Sequence, residues 1–242
     1  MEKVHLYYFP YAGASSVTYK SWFKGSDLIE FVVMDYPGHG KRNQEPLIHS
    51  ANEICDDLFK KIKSRQTNGA PYFFAGHCLG ALISYEICRL IERDGTIQPP
   101  QRLFLSGHGA PDKLINEGLY KMTDDDLIQY QRKVKGIPEE LLGDDFIDYV
   151  KEIVLPPIRS DSEVYESYRI GDNDDIIHVP LTVINGLKDW KSPQDEVKRW
   201  NEFTSNCVDY INFDDTHYFI NNRTDEYLME IEKGILQNIK SE

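Results

Sequence analysis

The chain has 242 residues, of which 40% are hydrophobic and 28% are charged, so it can bury the core of a folded domain. Its net charge is −13, from 27 basic and 40 acidic residues, which leaves no basic stripe for a nucleic-acid partner. No apolar run approaches the length of a membrane span, and the start of the chain lacks the apolar segment of a secretory signal. We therefore expect a soluble, cytoplasmic protein that binds neither nucleic acid nor membrane.

The four cysteines do not form a metal-binding pattern. Cys55, Cys78, Cys88 and Cys207 include no C-x-x-C spacing, so we expect no metal site. A cytoplasmic location also argues against disulfides. We interpret Cys55, Cys88 and Cys207 as small hydrophobic side chains of the fold.

Apolar runs alternate with helical patterns along the chain, which predicts an α/β fold with a mainly parallel sheet flanked by helices. Several runs are almost wholly apolar, as expected of strands that are buried on both faces. The predicted strands are Val4–Phe9, Phe31–Asp35, Tyr72–Gly76, Arg102–Ser106, Leu181–Asn185 and Val208–Phe213.

Helical patterns fill the intervals between these strands. A capping box at Ser50–Glu53 predicts the start of a helix. Gln194–Phe203 suits a second helix, in the later half of the sheet. An apolar stripe of Leu228, Ile231, Ile235 and Ile239 predicts the closing helix.

Residues 76–80, Gly-His-Cys-Leu-Gly, follow the third predicted strand and precede a strong helical pattern. A strand, a G-x-nucleophile-x-G turn and a helix form the nucleophile elbow of α/β-hydrolases, in which the glycines allow a sharp turn. The usual nucleophile is serine, but here the residue is Cys78. A thiol at a helix N-terminus gains from the helix dipole, which favours the thiolate. The alternative interpretation is a buried structural cysteine in a glycine-flanked turn.

Residues 112–170 interrupt the alternation, because they contain no strand-like run. The segment has short helical patterns instead, such as Asp124–Val134 and Phe146–Val154. We predict a helical lid subdomain over the site, inserted into a single α/β-hydrolase domain that spans residues 1–242.

Two later residues can complete a catalytic triad with Cys78. In α/β-hydrolases the acid and then the histidine follow the nucleophile, each on a loop after a strand. Asp189 lies just past the fifth predicted strand and His217 just past the sixth. The carboxyl ends of parallel strands meet at one edge of a sheet, so we predict that Asp189 orients His217 as the general base for Cys78.

The oxyanion hole is expected to use the backbone N–H that follows the nucleophile, which belongs to Leu79, and a second one from the loop after the first strand. That loop is rich in small residues, and we choose Ala12 as its donor. Tyr11, in the same loop, and His108, past the fourth strand, are candidate substrate-binding residues.

Seven motifs in this order resemble those of type II thioesterases, the stand-alone editing enzymes of non-ribosomal peptide and polyketide synthases. An example is the external thioesterase of surfactin synthetase. The resemblance covers nearly the whole chain. The motifs are Phe9–Gly13, Pro37–Gly40, Gly76–Gly80, Ser106–Pro111, Leu155–Asp161, Asn185–Asp189 and Asp214–His217.

The resemblance implies an α/β-hydrolase fold with a helical lid. It implies hydrolysis of acyl or aminoacyl thioesters from the phosphopantetheine arm of acyl or peptidyl carrier protein domains. The enzyme would need no cofactor of its own, and we expect a monomer. The family's catalytic serine, aspartate and histidine would fall on Cys78, Asp189 and His217.

The chain departs from the family at Cys78, where three accounts stay open. A natural cysteine enzyme can still hydrolyse thioesters, with His217 activating water. An acyl-cysteine also conserves the thioester bond, which suits an acyl or aminoacyl transferase that moves groups between two carriers. The cysteine can also be an engineered replacement of serine that traps an acyl-enzyme.

A different class of function, a catalytically inactive protein that binds carriers, is disfavoured because both a base and an orienting acid are present. Dienelactone hydrolases also have a cysteine at the elbow, but the other motifs do not resemble theirs. The identity of the acyl group cannot be derived, because the lid side chains determine it in three dimensions.

Overall fold

The computed structural model describes residues 3–66, 69–171 and 176–241. Its strands pair in the order β2-β1-β3-β4-β5-β6, and every pair is parallel. The strands are Val4–Phe9 (β1), Ile29–Val33 (β2), Tyr72–His77 (β3), Leu103–Ser106 (β4), Leu181–Gly186 (β5) and Val208–Phe213 (β6). The predicted mainly parallel sheet is thus confirmed.

Helices connect the strands and cover the sheet, as parallel connections require. They are Ala51–Arg65 (α1), Leu79–Asp94 (α2), Asp124–Val134 (α3), Ile147–Tyr149 (α4), Leu155–Ser167 (α5), Gln194–Lys198 (α6), Phe219–Asn222 (α7) and Thr224–Ser241 (α8). Short 3-10 turns lie at Gly40–Arg42, Leu119–Lys121, Glu139–Leu142, Asp144–Phe146 and Arg199–Glu202, and a π-helical turn lies at Val150–Val154. In the described ranges, no helix has both the length and the apolar character needed to cross a membrane.

The core lies on both faces of the sheet, because successive side chains of a strand point to opposite faces. In β1, Tyr7 and Phe9 join the cluster that contains the buried residues of α1 and α2. Leu6 and Tyr8 join the opposite cluster, which contains Ile231 and Ile235 of α8. The apolar stripe predicted for the closing helix therefore faces the sheet.

Several predicted details differ from the structure. The second strand begins and ends two residues earlier than predicted, since Ile29 pairs with Val4, and Asp35 lies in the following loop. There Asp35 accepts a hydrogen bond from the Ser16 N–H at 2.6 Å. The helix at Gln194 becomes a 3-10 turn from residue 199.

Two further expectations need correction. The helix after Ser50 begins where predicted, but the Ser50 side chain makes no capping hydrogen bond. Cys55 and Cys88 are buried as expected, whereas Cys207 is exposed. It directly precedes β6 and is exposed, so it does not pack as the small hydrophobic side chain that was expected.

Residues 112–170, all of them described, contain no strand and are hereafter called the lid segment. Helix α3 has the predicted bounds, and the predicted piece at Phe146–Val154 forms the start of a longer helical stretch that runs into α5. The segment has a hydrophobic cluster of its own, which includes Leu127, Val150 and Ile158. Its function as a lid stays a prediction.

The strand register gathers the loops that carry the predicted site. Phe9 at the end of β1 pairs with Gly76 of β3, and His77 pairs with Ser106 of β4. Gly186 at the end of β5 pairs with Phe213 of β6. The loops that follow these strands therefore leave the sheet at the same edge.

Candidate active site

The turn between β3 and α2 has the backbone geometry of a nucleophile elbow. Cys78 lies at φ 55° and ψ −118°, a strained conformation for a residue with a side chain. A Cβ on Gly76 would lie 2.2 Å from the carbonyl oxygen of Gly80, and one on Gly80 would lie 1.9 Å from that of Phe9. The two glycines therefore allow three backbone segments to approach closely, and the turn places Cys78 at the N-terminus of α2.

The structure brings Asp189 and His217 together at this edge of the sheet. His217 Nδ1 lies 2.8 Å from Asp189 Oδ2, and both side chains are almost fully buried. The other carboxylate oxygen accepts the N–H groups of Lys191 at 2.8 Å and Ser192 at 3.1 Å. Burial raises the pKa of Asp189, but the hydrogen bond with His217, the charge of His217 and the two N–H groups together outweigh burial and lower the pKa. The carboxylate is thus ionised and fixed, and it holds the imidazole ring in one orientation.

The ring of His217 also shares a hydrogen bond with the thiol of Cys78. Burial alone raises the pKa of Cys78, but this bond, the charge of His217 and the charge of Lys191 together lower it. Burial lowers the pKa of His217, but the hydrogen bonds with Asp189 and Cys78 outweigh it and raise the pKa to about 9. The pair therefore favours a thiolate beside an imidazolium, which is the reactive form of a cysteine nucleophile.

Pro10–Ser15, hereafter the oxyanion loop, lies against the elbow. The missing Cβ of Gly80 leaves room for the carbonyl groups that begin this loop, and Tyr36 Oη donates to the Pro10 carbonyl at 2.7 Å. In the part of the chain that the structure describes, the Ala12 N–H is not engaged by another backbone carbonyl. The N–H of Leu79 lies near the sulfur of Cys78. The assignment of Ala12 and Leu79 as oxyanion donors stays a prediction.

Cys78 and His217 line a cavity of about 410 Å³ between the sheet edge and the lid segment. Tyr11 lines it too, as expected of a substrate-binding residue. His108 does not: it is buried behind Tyr165, with the two ring centroids 5.3 Å apart. This placement does not favour the predicted contact of His108 with substrate. The lid segment contributes mostly apolar walls, among them Leu119, Ile137, Pro138, Leu141, Val154 and Ile158.

An ion pair in the cavity wall was not predicted. Lys191 Nζ lies 2.6 Å from Glu117 Oε2, and the Lys191 side chain is only 11% exposed. Tyr130 Oη donates to Glu117 at 3.3 Å. Glu117 comes from the lid segment and Lys191 from the loop that carries Asp189, so the pair ties the lid segment to the triad. Nothing in their local sequence distinguishes them from exposed charges.

His77, which precedes the nucleophile, supports the site from below. Its ring centroid lies 4.9 Å from that of His217, and its Nδ1 lies 3.1 Å from the Ser106 hydroxyl. Burial holds the pKa of His77 well below its usual range, so the ring is neutral. It therefore packs beneath His217 without competing for its proton.

The described residues contain no candidate metal-binding cluster. In residues 3–66, 69–171 and 176–241, no group of three or more histidine, cysteine and acidic side chains is placed to hold an ion.

The chain matches the thioesterase domain family over residues 4–235. It is 27% identical over 237 residues to thioesterase PikA5 of Streptomyces venezuelae, an alignment that covers 96% of this chain and 81% of that protein. It is 28% identical over 221 residues to the gramicidin S biosynthesis protein GrsT of Aneurinibacillus migulanus, covering 90% and 83%.

Two solved structures have the same fold. ClbQ from the colibactin NRPS/PKS pathway has a TM-score of 0.89 and 25% identity, and the match covers 100% of both chains. The type II thioesterase BorB from the borrelidin biosynthetic cluster has a TM-score of 0.84 and 24% identity, covering 96% and 92%. The chain therefore belongs to the thioesterase domain family, and it is a thioester hydrolase with an α/β-hydrolase fold.

Proposed function

We propose that this chain is a trans-acting thioesterase that releases acyl or aminoacyl groups from the phosphopantetheine arm of carrier proteins in peptide or polyketide biosynthesis. The observation that carries this proposal is the buried series Cys78–His217–Asp189, which opens into the cavity beneath the lid segment. Similarity to proteins of the gramicidin S and colibactin pathways supports the pathway class. The phosphopantetheine arrives with the partner, so no resident cofactor is required.

In the first half-reaction the Cys78 thiolate attacks the thioester carbonyl carbon and forms a new C–S bond. The N–H groups of Ala12 and Leu79 hold the resulting oxyanion. When the tetrahedral intermediate collapses, the bond to the pantetheine sulfur breaks. The His217 imidazolium gives its proton to that sulfur, so a neutral pantetheine thiol leaves and His217 becomes neutral.

In the second half-reaction neutral His217 takes a proton from water, and the water oxygen attacks the acyl-cysteine carbonyl. The same two N–H groups hold the second oxyanion. Its collapse releases the carboxylic acid and expels the Cys78 thiolate beside a protonated His217. The resting ion pair is thereby restored, and Asp189 stabilises His217 whenever it is charged.

The cysteine itself favours a second candidate, a transferase between two carriers. Passing an acyl group from a pantetheine thiol to Cys78 exchanges one thioester for another and is nearly isoenergetic. A serine ester would hold the acyl group more firmly. Hydrolysis is the better supported function, because the family match spans residues 4–235 while transfer rests on one residue.

The test uses a carrier protein that is loaded with a short acyl or aminoacyl group on its pantetheine thiol. The enzyme is added with and without a second, unloaded carrier. We expect free acid at a rate that is independent of the second carrier. Loading of the acceptor faster than release of free acid would overturn hydrolysis in favour of transfer.

The matched control is Cys78→Ser, assayed in parallel by intact-protein mass spectrometry. If serine is the native residue at the elbow, the serine variant hydrolyses at least as fast, and the cysteine form accumulates as an acyl-enzyme. If cysteine is the evolved nucleophile, the serine variant fails to pass the acyl group to a second thiol. An acyl adduct on another residue, with none on Cys78, would contradict its assignment as nucleophile.

A further inference from the structure

The carboxylate of Asp161 joins three separate segments of the chain. Asp161 lies on α5 of the lid segment and is fully buried. Its Oδ2 accepts the Gly13 N–H at 2.7 Å and lies 3.0 Å from His39 Nε2. Gly13 belongs to the oxyanion loop, and His39 belongs to the turn after β2. A single carboxylate oxygen thus connects the lid segment, the oxyanion loop and that turn.

The hydrogen bonds of His39 determine its charge. Its Nδ1 lies 2.9 Å from the carbonyl oxygen of Pro37, and its Nε2 faces the carboxylate. A carbonyl and a carboxylate only accept hydrogen bonds, so both ring nitrogens must carry a proton. His39 is therefore an imidazolium, and with Asp161 it forms a buried ion pair whose side chains are 3% and 1% exposed.

A second contact holds the same part of the loop against α5. A Cβ on Gly13 would lie 2.3 Å from Ile158 Cγ1, and Gly13 has a φ of 79°. Ile158 precedes Asp161 by about one helical turn. Helix α5 therefore meets the loop both through apolar packing and through the carboxylate, and only glycine fits between them.

These contacts determine the direction of the Ala12 N–H. The loop is fixed before Ala12 by the bond from Tyr36 to the Pro10 carbonyl. It is fixed after Ala12 by the hydrogen bond from the Gly13 N–H to Asp161. The Ala14 N–H also donates to the Tyr11 carbonyl at 2.9 Å, which closes the turn. Because each peptide unit is planar, holding the units on both sides leaves the Ala12 N–H little freedom.

We propose that Asp161, held by the imidazolium of His39, is a positioning residue that aims the Ala12 N–H into the oxyanion hole. The inference rests on the proposed function, since it assumes that an oxyanion forms at Cys78. It also makes the lid segment part of the catalytic apparatus, because α5 must be in place for the hole to be complete.

The test compares Asp161→Ala with Ser160→Ala, its neighbour on α5. Ser160 is also buried, but its hydroxyl donates to the Ile48 carbonyl at 2.9 Å and not to the oxyanion loop. Two reactions of Cys78 are measured. Acylation by p-nitrophenyl acetate passes through an oxyanion, whereas alkylation by iodoacetamide displaces iodide and forms none.

We expect Asp161→Ala to lower kcat for acylation about 100-fold, with KM changed less than about twofold, because a misplaced oxyanion donor acts on the transition state. Alkylation of Cys78 should stay within about twofold of wild type, since the thiolate pair with His217 is untouched. Asp161→Asn retains an oxygen acceptor but loses the charge, so we expect an intermediate loss. Ser160→Ala should resemble wild type in both reactions.

Equal acylation rates in Asp161→Ala and Ser160→Ala would overturn the proposal. A parallel loss of acylation and alkylation would also overturn it, since that pattern indicates general damage to the site. If Asp161→Ala does not fold, Asp161→Asn is measured in its place and judged by the same criteria. A wild-type protein that acylates with the ester but leaves carrier-bound thioesters intact would contradict the proposed function alone. Failure of wild type to acylate would overturn both.

Discussion

The two walls of the site, the sheet edge and the lid segment, are built by different means. At the sheet edge, Cys78 directly follows β3, Asp189 follows β5 and His217 follows β6, so the parallel register alone gathers them. The lid segment reaches the same site through side chains. Asp161 contacts Gly13 across 148 positions of sequence and His39 across 122.

This difference indicates what each wall contributes. Backbone pairing fixes the sheet edge, so we expect the proposed nucleophile, base and acid to keep one geometry. The lid segment is tied to the sheet edge by side-chain contacts such as the Glu117–Lys191 ion pair, and it has an apolar cluster of its own. The proposed triad belongs to the first wall. We expect the second wall to determine mainly the choice of substrate, apart from the contact of Asp161 with the oxyanion loop.

The sharpest test of the sheet edge is His217→Ala. Loss of the group that moves the proton in both half-reactions should lower kcat for thioester hydrolysis about 10⁴-fold, without loss of folding. Steady-state kinetics and a thermal unfolding curve measure the two effects. Retention of full activity would remove His217 from the mechanism.

The matched pair for the acid is Asp189→Asn against Asp214→Asn. Asp189 is buried and contacts His217, whereas Asp214 is exposed and forms an ion pair with Lys188 at 2.8 Å. The first variant should lose activity, though less than His217→Ala, and the second should be close to wild type. The reverse result would indicate that Asp214, and not Asp189, is the acid that orients His217.

Gly80→Ala tests the close approach on which the elbow depends. A new Cβ would lie 1.9 Å from the backbone oxygen of Phe9, so β1 and α2 must move apart. We expect a loss of about 3 kcal/mol in the free energy of unfolding, measured by urea denaturation. Gly143→Ala is the control, because a Cβ there meets nothing within 4 Å. Equal stability of the two variants would show that the elbow is looser than described.

The sequence predicts the sheet edge well because its signals are local. Alternating apolar runs locate all six strands, and the glycines at positions 76 and 80 signal the sharp turn around Cys78. The order of Asp189 and His217 after their strands then follows from how parallel strands align. The bounds of β2 and the capping bond of Ser50 depart from expectation, and both depend on neighbours that the local pattern does not include.

The contacts of the lid segment with the rest of the site could not be predicted from the sequence. Its helical character and the bounds of α3 follow from local periodicity, but the pairs Glu117–Lys191 and His39–Asp161 depend on how separate segments pack. Charged side chains are usually exposed, so the sequence around one gives no sign that it is buried. His108 was a candidate substrate-binding residue because it follows the fourth strand, but its ring lies behind Tyr165.

Lys191→Met tests the link between the two walls. Lys191 helps to lower the pKa of Cys78 through its charge, so its removal should raise that pKa and reduce the fraction of thiolate at pH values below the pKa. The pH dependence of Cys78 alkylation by iodoacetamide measures this, with the midpoint moving to higher pH. Lys188→Met is the control, since Lys188 is exposed on the same loop. An unchanged midpoint in Lys191→Met would show that the ion pair does not affect the pKa of Cys78.

The smallest expected effect belongs to the lid segment itself, in Leu141→Ala. Leu141 lines the cavity, so its truncation should enlarge the space for the acyl group without altering the triad. We expect kcat/KM for a hexanoyl thioester to rise relative to an acetyl thioester by about fivefold, because a methylene in an apolar pocket is worth about 1 kcal/mol or more. Phe146→Ala is the control: Phe146 is 49% exposed and does not line the cavity. Cys78 alkylation should be unchanged in both variants. If the two lid variants shift the acyl preference equally, or if Leu141→Ala slows alkylation, the division between a wall for chemistry and a wall for substrate choice is wrong.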